Sequence, residues 1–201
     1  MPPAINLHDP SVFPSFYSLP EALETSASAS PNLDDHVAAA NKGWYMVAQV
    51  KENMTITKPT LIVTDRTGMD FAVIFEDTSM NLKGMGLKKG MTIVVPRGLR
   101  TVTGEGRKAI MRVERGAGGG VKAIPGSLEL VMAVGEGMAD ESFGTKCWGC
   151  KEEKEALKKC TGCDTVVYCS KECQVRSWEA GHKKGCRVVK AVKEVWPAIC
   201  A

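Results

Sequence analysis

The stretch 147–186 constrains this chain more than any other. It reads Cys147-x2-Cys150, Cys160-x2-Cys163, Tyr168-Cys169-x3-Cys173 and His182-x3-Cys186, and so holds seven of the eight cysteines and one of the three histidines. A Cys-x2-Cys pair closes a tight turn that aims two thiolates at one tetrahedral ion, and an x3 pair sets both donors on one face of a helical turn. Four such pairs supply eight donors, and a structural zinc takes four. Thiolates with a neutral imidazole suit zinc far better than magnesium or calcium, with iron the main competitor. No open coordination position is evident in the pattern, so both sites read as structural. Spacing alone leaves sequential and interleaved pairing of the four pairs equally open.

The competing interpretation is a disulfide scaffold, because the cysteine count is even. One donor is a histidine, however, and Cys200 stands apart from the window without an assigned role. Met1-Pro2-Pro3-Ala4 lacks the basic and apolar regions of a secretion signal. A reducing compartment, nucleus or cytoplasm, is therefore expected. No run of apolar residues is long enough for a membrane span, so no membrane partner is expected.

The window resembles a MYND zinc finger, in its ligand spacing and also in Tyr168 before Cys169, Gln174 after Cys173 and the spacing Trp178-x3-His182. The resemblance implies two Zn2+ ions with interleaved ligands. Cys147, Cys150, Cys169 and Cys173 would hold one, and Cys160, Cys163, His182 and Cys186 the other. It also implies a protein-interaction module that takes a proline-containing peptide as an added strand. The groove would lie beside Thr165, Val166, Val167 and Tyr168, with Gln174 and Trp178 as contacts. Against this stands a plainer role for Trp178, as packing inside the finger. Many relatives of the finger work in transcriptional or chromatin regulation, which makes a non-enzymatic adaptor in the nucleus the expected function.

The rest of the chain divides by composition. Residues 1–43 carry six prolines and a polar run at 25–30, and set Asp9, Glu21, Glu24, Asp34 and Asp35 against Lys42 alone. This is the composition of a mostly disordered acidic tail with one short helix at 34–42. Its apolar segment 12–20 is expected to pack on the domain that follows. Residues 44–135 switch to period two, with short β-rich runs at 44–51, 61–65, 71–76, 92–96, 109–114 and 128–134 separated by glycine-containing turns. That pattern predicts a small antiparallel β-barrel, and the region resembles an OB-fold. The predicted fold class is thus mainly β, an OB-like barrel followed by a small zinc-stabilised α+β module. Residues 136–146, with two more glycines, read as a linker, 147–186 as the finger, and 187–201 as a basic helix stopped by Pro197, then a tail.

The barrel region holds thirteen basic against eight acidic residues, in a chain of net charge +3. Single-stranded nucleic acid on Lys88, Lys89, Arg97, Arg100 and Arg107 is the alternative function. Its weakness is a shortage of stacking platforms, since only Trp44, Tyr45, Phe71 and Phe75 are available. An enzyme is not expected, because 44–135 contains neither histidine nor cysteine and no cofactor motif.

Overall fold

The computed structural model describes residues 6–22, 43–101 and 110–200, the side chains of 196–200 excepted. The expected helix at 34–42 and Arg107 lie outside the described residues. The chain forms two compact units, Asp9–Ala123 and a second made of Met1–His8 with Ile124–Ala201.

The first unit is a sheet of seven strands. They are β1 (Tyr45–Asn53), β2 (Thr60–Asp65), β3 (Asp70–Phe75), β4 (Thr92–Pro96), β5 (Leu99–Thr101), β6 (Ile110–Val113) and β7 (Lys122–Ile124), which closes at the unit boundary. Alternation decides what is buried. Leu61, Val63 and Asp65 of β2, and Phe71, Val73 and Phe75 of β3, turn inward while their neighbours stay partly exposed. With Val50, Ile93 and Met111 they form one core.

β1, β2 and β3 make an antiparallel meander, with Ala48 opposite Asp65 and Thr64 opposite Asp70. β4 pairs antiparallel with the other side of β1. β6 runs parallel to β3, with Ala72 opposite Ile110, and β5 pairs with β6. The order is β5-β6-β3-β2-β1-β4-β7. Two expectations are corrected here. The sheet is mixed, because the chain leaves β3, traverses β4 and β5, and returns beside β3 in the same direction. Its hydrogen-bonded order is also open, with no pair among the described residues joining the two ends.

The segment before β1 is part of this unit. The 3-10 turn Phe16–Ser18 buries Phe16 completely, and its ring stacks on Phe71 with centroids 4.2 Å apart. Phe13 and Leu19 are buried as well. The buried carboxylate of Asp65 fastens this strap. One oxygen accepts from Phe16 N at 2.8 Å, and the other accepts from Thr67 N, Thr67 Oγ1 and Met69 N around the β2–β3 turn. Beyond Phe16, Arg100 N donates to Pro20 O and Ala22 N to Arg100 O, and Glu21 pairs with the Arg100 guanidinium. The strap thereby covers the outer edge of β5, which would otherwise present unpaired backbone groups.

The second unit replaces the sixth expected strand and the first residues of the expected linker with a helix, α1 (Leu128–Ala139), and leaves 140–146 as turns. Ser127 caps it by accepting from Leu130 N, Glu129 sits in the first turn, and Leu128, Val131 and Gly135 form the buried stripe. Read as period two, Leu-Glu-Leu-Val predicts a strand, and the glycines predict a break. They are close-approach positions instead. A Cβ on Gly135 would stand 2.3 Å from Leu7 Cδ1, and one on Gly137 would stand 2.6 Å from the Trp148 ring.

After the two-stranded β8 (Lys158–Lys159) and β9 (Val167–Tyr168) come α2 (Lys171–Ser177), a π-turn Trp178–His182, and α3 (Lys183–Cys200). α3 begins before the expected start at 187, and Pro197 lies inside its last turn. There the missing N–H forfeits a single i→i−4 bond. The helix buries Val188, Val189, Val192 and Val195 and packs against α1. Among the described residues, no helix is long and apolar enough to cross a membrane. The first unit is built on β sheet, and a small module with two Cys/His groups lies toward the C-terminal side of the chain.

Candidate metal centre

Two turns of the same design begin the site. In each Cys-x2-Cys knuckle the residue after the second cysteine adopts a left-handed conformation, Lys151 at φ 62° and Asp164 at φ 51°. Its N–H returns to the carbonyl of the first cysteine, Lys151 N to Cys147 O at 2.7 Å and Asp164 N to Cys160 O at 2.8 Å. Both knuckles place glycine third, and both glycines are forced by space. A Cβ on Gly149 would meet Cys173 O at 2.7 Å, and one on Gly162 would meet Cys186 Sγ at 2.8 Å.

The remaining donors come from helix ends. Ser170 caps α2 by accepting from Cys173 N, so Cys169 stands just outside the helix and Cys173 inside its first turn. Gly181, at φ 145°, breaks the π-turn and swings His182 inward. Cys186 follows in the first turn of α3.

These elements assemble two groups. Cys147, Cys150, Cys169 and Cys173 form one, and Cys160, Cys163, His182 and Cys186 the other, with the ligating atoms of each group within 4.8 Å of one another. The pairing is interleaved. In the first group Cys150 Sγ lies 3.8 Å from Cys169 Sγ, and Cys169 Sγ 3.6 Å from Cys173 Sγ. In the second, Cys160 Sγ lies 3.9 Å from Cys186 Sγ, while His182 Nε2 lies 3.4 Å from Cys160 Sγ and 3.8 Å from Cys163 Sγ. A zinc tetrahedron with bonds of about 2.3 Å has sulfur–sulfur edges of about 3.8 Å, whereas a disulfide would require about 2.05 Å. All seven of these cysteines are free thiols.

The electrostatics point the same way. Burial opposes charge on Cys147, but backbone N–H groups of Cys150, Cys169 and Gly149 outweigh it and bring the thiol down to about 6. Cys169, sharing its proton with Cys147 and Cys173, is pushed up to about 12. Burial and the neighbouring thiolates Cys163 and Cys160 drive Cys186 up to about 12 as well. Packed thiols that resist a common negative charge are completed by a divalent cation, which lets all of them ionise. His182, 7% exposed, is held below its ordinary value by burial and is a neutral ligand at neutral pH. The donor set therefore fits zinc at both positions. With four protein donors on each ion, the zinc would cross-link the chain without offering a position for substrate.

Residues 147–186 match the MYND finger family, and this stretch is a MYND zinc finger. The same part of the chain is similar to several curated proteins. One is the SET domain and MYND-type zinc finger protein 6 of Schizosaccharomyces pombe, 38% identical over 56 residues, which are 27% of this chain and 11% of that protein. Another is the human histone-lysine N-methyltransferase SMYD3, 38% identical over 56 residues, 28% of this chain and 13% of the relative. A third is the N-lysine methyltransferase SMYD2 of Gallus gallus, 40% identical over 53 residues, 26% and 12% respectively. The chain thus spans only about an eighth of the length of these relatives.

The expected peptide contacts separate into two kinds. Val166, Val167 and Tyr168 are buried, and Tyr168 shares a 3.0 Å hydrogen bond with Ser177. Thr165 donates to Cys163 O. Gln174 is half-buried, and Trp178 is exposed. β9 is occupied along both sides. Lys158 and Lys159 of β8 pair with Tyr168 and Val167, and on the other side Val167 O accepts from Trp148 N.

Of the expected nucleic-acid contacts, Lys88, Lys89 and Arg97 are exposed and Arg100 is paired with Glu21. The aromatic platforms are largely used up. Phe71 lies under Phe16, Phe75 is fully buried, Tyr45 meets Phe13, and Trp44 Nε1 donates to Gly98 O. Sequence reasoning missed Gly149 and Gly162, although the repeated Cys-x-Gly-Cys was there to be read.

Proposed function

We propose that the protein is a non-enzymatic adaptor that binds two structural Zn2+ and uses its finger to hold a proline-containing segment of a protein partner. Trp178 carries this reading. Its indole is 38% exposed and Val175, one turn earlier, is 47% exposed, in a module whose other large apolar side chains are buried or half-buried around the ligands. The ring leans edge-on against His182, with centroids 5.9 Å apart, so one face of an amphipathic ring is open to a prolyl ring. Since β9 is engaged on both sides, an added strand would pair with β8, at the exposed Lys158 and Lys159.

The regulatory and nuclear setting is drawn from the company such fingers keep, in relatives named for histone-lysine and N-lysine methylation. The non-enzymatic character is drawn from where the similarity stops. It covers the finger and its flank, and the region 44–135 has no histidine or cysteine. For that region we favour an OB-like arrangement of the strands, left open between β5 and β7. Support comes from the β1–β2–β3 meander, the parallel β3–β6 step, and the bend at Arg97 and Gly98 that joins β4, near one end of the strand order, to β5 at the other. Single-stranded nucleic acid on Lys88, Lys89 and Arg97 is the weaker alternative, because stacking supplies about 1–3 kcal/mol per base and few rings are free to supply it.

Trp178→Ala tests the adaptor. The variant is expected to retain two zinc ions per chain and to lose its captured partner from nuclease-treated extract by about tenfold or more. Loss of zinc, or undiminished capture, would set Trp178 back into a packing role.

A further inference from the structure

The second unit has a recess of about 260 Å³ that the proposed peptide face does not use. It lies where the end of α1 and the turns that follow meet the first zinc knuckle, and its walls include Asp140, Phe143, Trp148 and Lys151. Phe143 and Trp148 stand at 89° with centroids 5.8 Å apart, making two aromatic walls of a corner. Gly137 fits against the end of the Trp148 ring, where a Cβ would come within 2.6 Å. The open face of the indole is capped by the ammonium of Lys151, 3.8 Å from the ring centroid.

That arrangement is a bound cation in miniature. A nitrogen cation centred on a tryptophan face, with a second ring at its side and a carboxylate at the rim, is how aromatic cages hold alkylated ammonium groups. The charge of the recess favours a cation too. Asp140 is held below the ordinary carboxylate value by hydrogen bonds from Ser142 and stays ionised at neutral pH. Lys146, also on the wall, is offset by Glu153 at 3.7 Å. Displacing Lys151 would leave the corner net negative.

We propose that this corner is a second peptide site, one that takes a methylated lysine side chain of a partner protein in exchange for Lys151. Methylation decides the exchange. An unmodified lysine competes with a tethered copy of itself, whose effective concentration is of millimolar order. A trimethylammonium gives up less hydration and covers more of both rings. Lys151 is then an internal stand-in that keeps the site closed to unmodified chains.

The test uses the full zinc-loaded chain and three capped peptides of one sequence, carrying trimethyllysine, lysine or norleucine at a single position. Binding is read from the Trp148 indole N–H resonance. The trimethyllysine peptide is expected to shift that signal, and Lys151→Gln is expected to bind it about tenfold more tightly than the parent chain. Trp148→Phe, with zinc content unchanged and binding read instead from the Ser142 and Phe143 backbone amide resonances, should weaken it several-fold, and Asp140→Asn should do the same. Trp178→Ala should leave it unaltered, which separates this site from the adaptor face. The proposal fails if Lys151→Gln shows no indole shift at millimolar peptide, if the norleucine peptide binds equally well, or if Trp178→Ala abolishes the shift.

Discussion

Gly162 shows how tightly the second ion site is built. Its Cα lies so close to Cys186 that a methyl group would stand 2.8 Å from the ligand sulfur, and a sulfur cannot give way without leaving its vertex of the tetrahedron. Gly162→Ala is expected to weaken zinc at that position by about tenfold or more. The chain would retain one tightly held ion, measurable by metal analysis after dialysis against a mild chelator. At Gly149 the obstacle is a backbone carbonyl, Cys173 O, so the same substitution there is expected to disturb the N-terminal turn of α2 along with the first ion.

Asp65 makes the corresponding case in the sheet. Burial would raise its carboxyl, but hydrogen bonds from Phe16 N, Thr67 and Met69 N win and hold it below its ordinary value of 3.8. A carboxylate depressed in the folded state stabilises fully above its unfolded value and loses that contribution as pH falls through the folded one. The strap should therefore stay fastened at neutral and mildly acidic pH and loosen below about pH 4. Amide exchange at Phe16, Thr67 and Met69 would report it. Asp65→Asn leaves some of those N–H groups without an acceptor, at a cost of about 1–3 kcal/mol, and should remove the pH step.

Among the elements, the strap is the one whose role composition hid. Six prolines and an acidic excess read as a tail, yet Phe13, Phe16 and Leu19 each find a buried place on the sheet. Only the local apolar run at 12–20 pointed to this, because a mean over the segment dilutes three side chains among many polar ones. Phe16→Ala is expected to cost about 3–5 kcal/mol, seen as a drop in the thermal midpoint of the sheet unit with zinc content unaffected.

Strands fared well in the sequence wherever alternation was uninterrupted, as in β2 and β3, and badly where a helix carried glycines for packing. α1 is the example. Nothing within 128–139 tells a reader that Gly135 makes room for Leu7, because the partner lies more than a hundred residues away. The ligand groups were legible for the opposite reason. Their chemistry is carried by residue type and short spacing, and distant context adds only which pairs interleave.

At the scale of the whole molecule, the second unit is larger than the finger. Val134, Met138 and Phe143 pack on the same cluster as the ligand cysteines, and α3 packs against α1. Chelation should therefore reach beyond 147–186 and loosen α1 and α3 together. The sheet, whose core contains no ligand, should persist. Circular dichroism and hydrogen exchange on the full chain with excess chelator would show it. Simultaneous loss of protection in β1–β4 would contradict the division into two units.

His182 and Cys186 sit where the π-turn passes into α3, and the rest of that helix carries Val188, Val189, Val192 and Val195 to their burial. Completion of α3 is thus expected to wait on the supply of an inorganic ion. In a zinc-starved cell newly made copies would emerge with a sound sheet and an unset second unit, marked for quality-control proteases by the valines left uncovered.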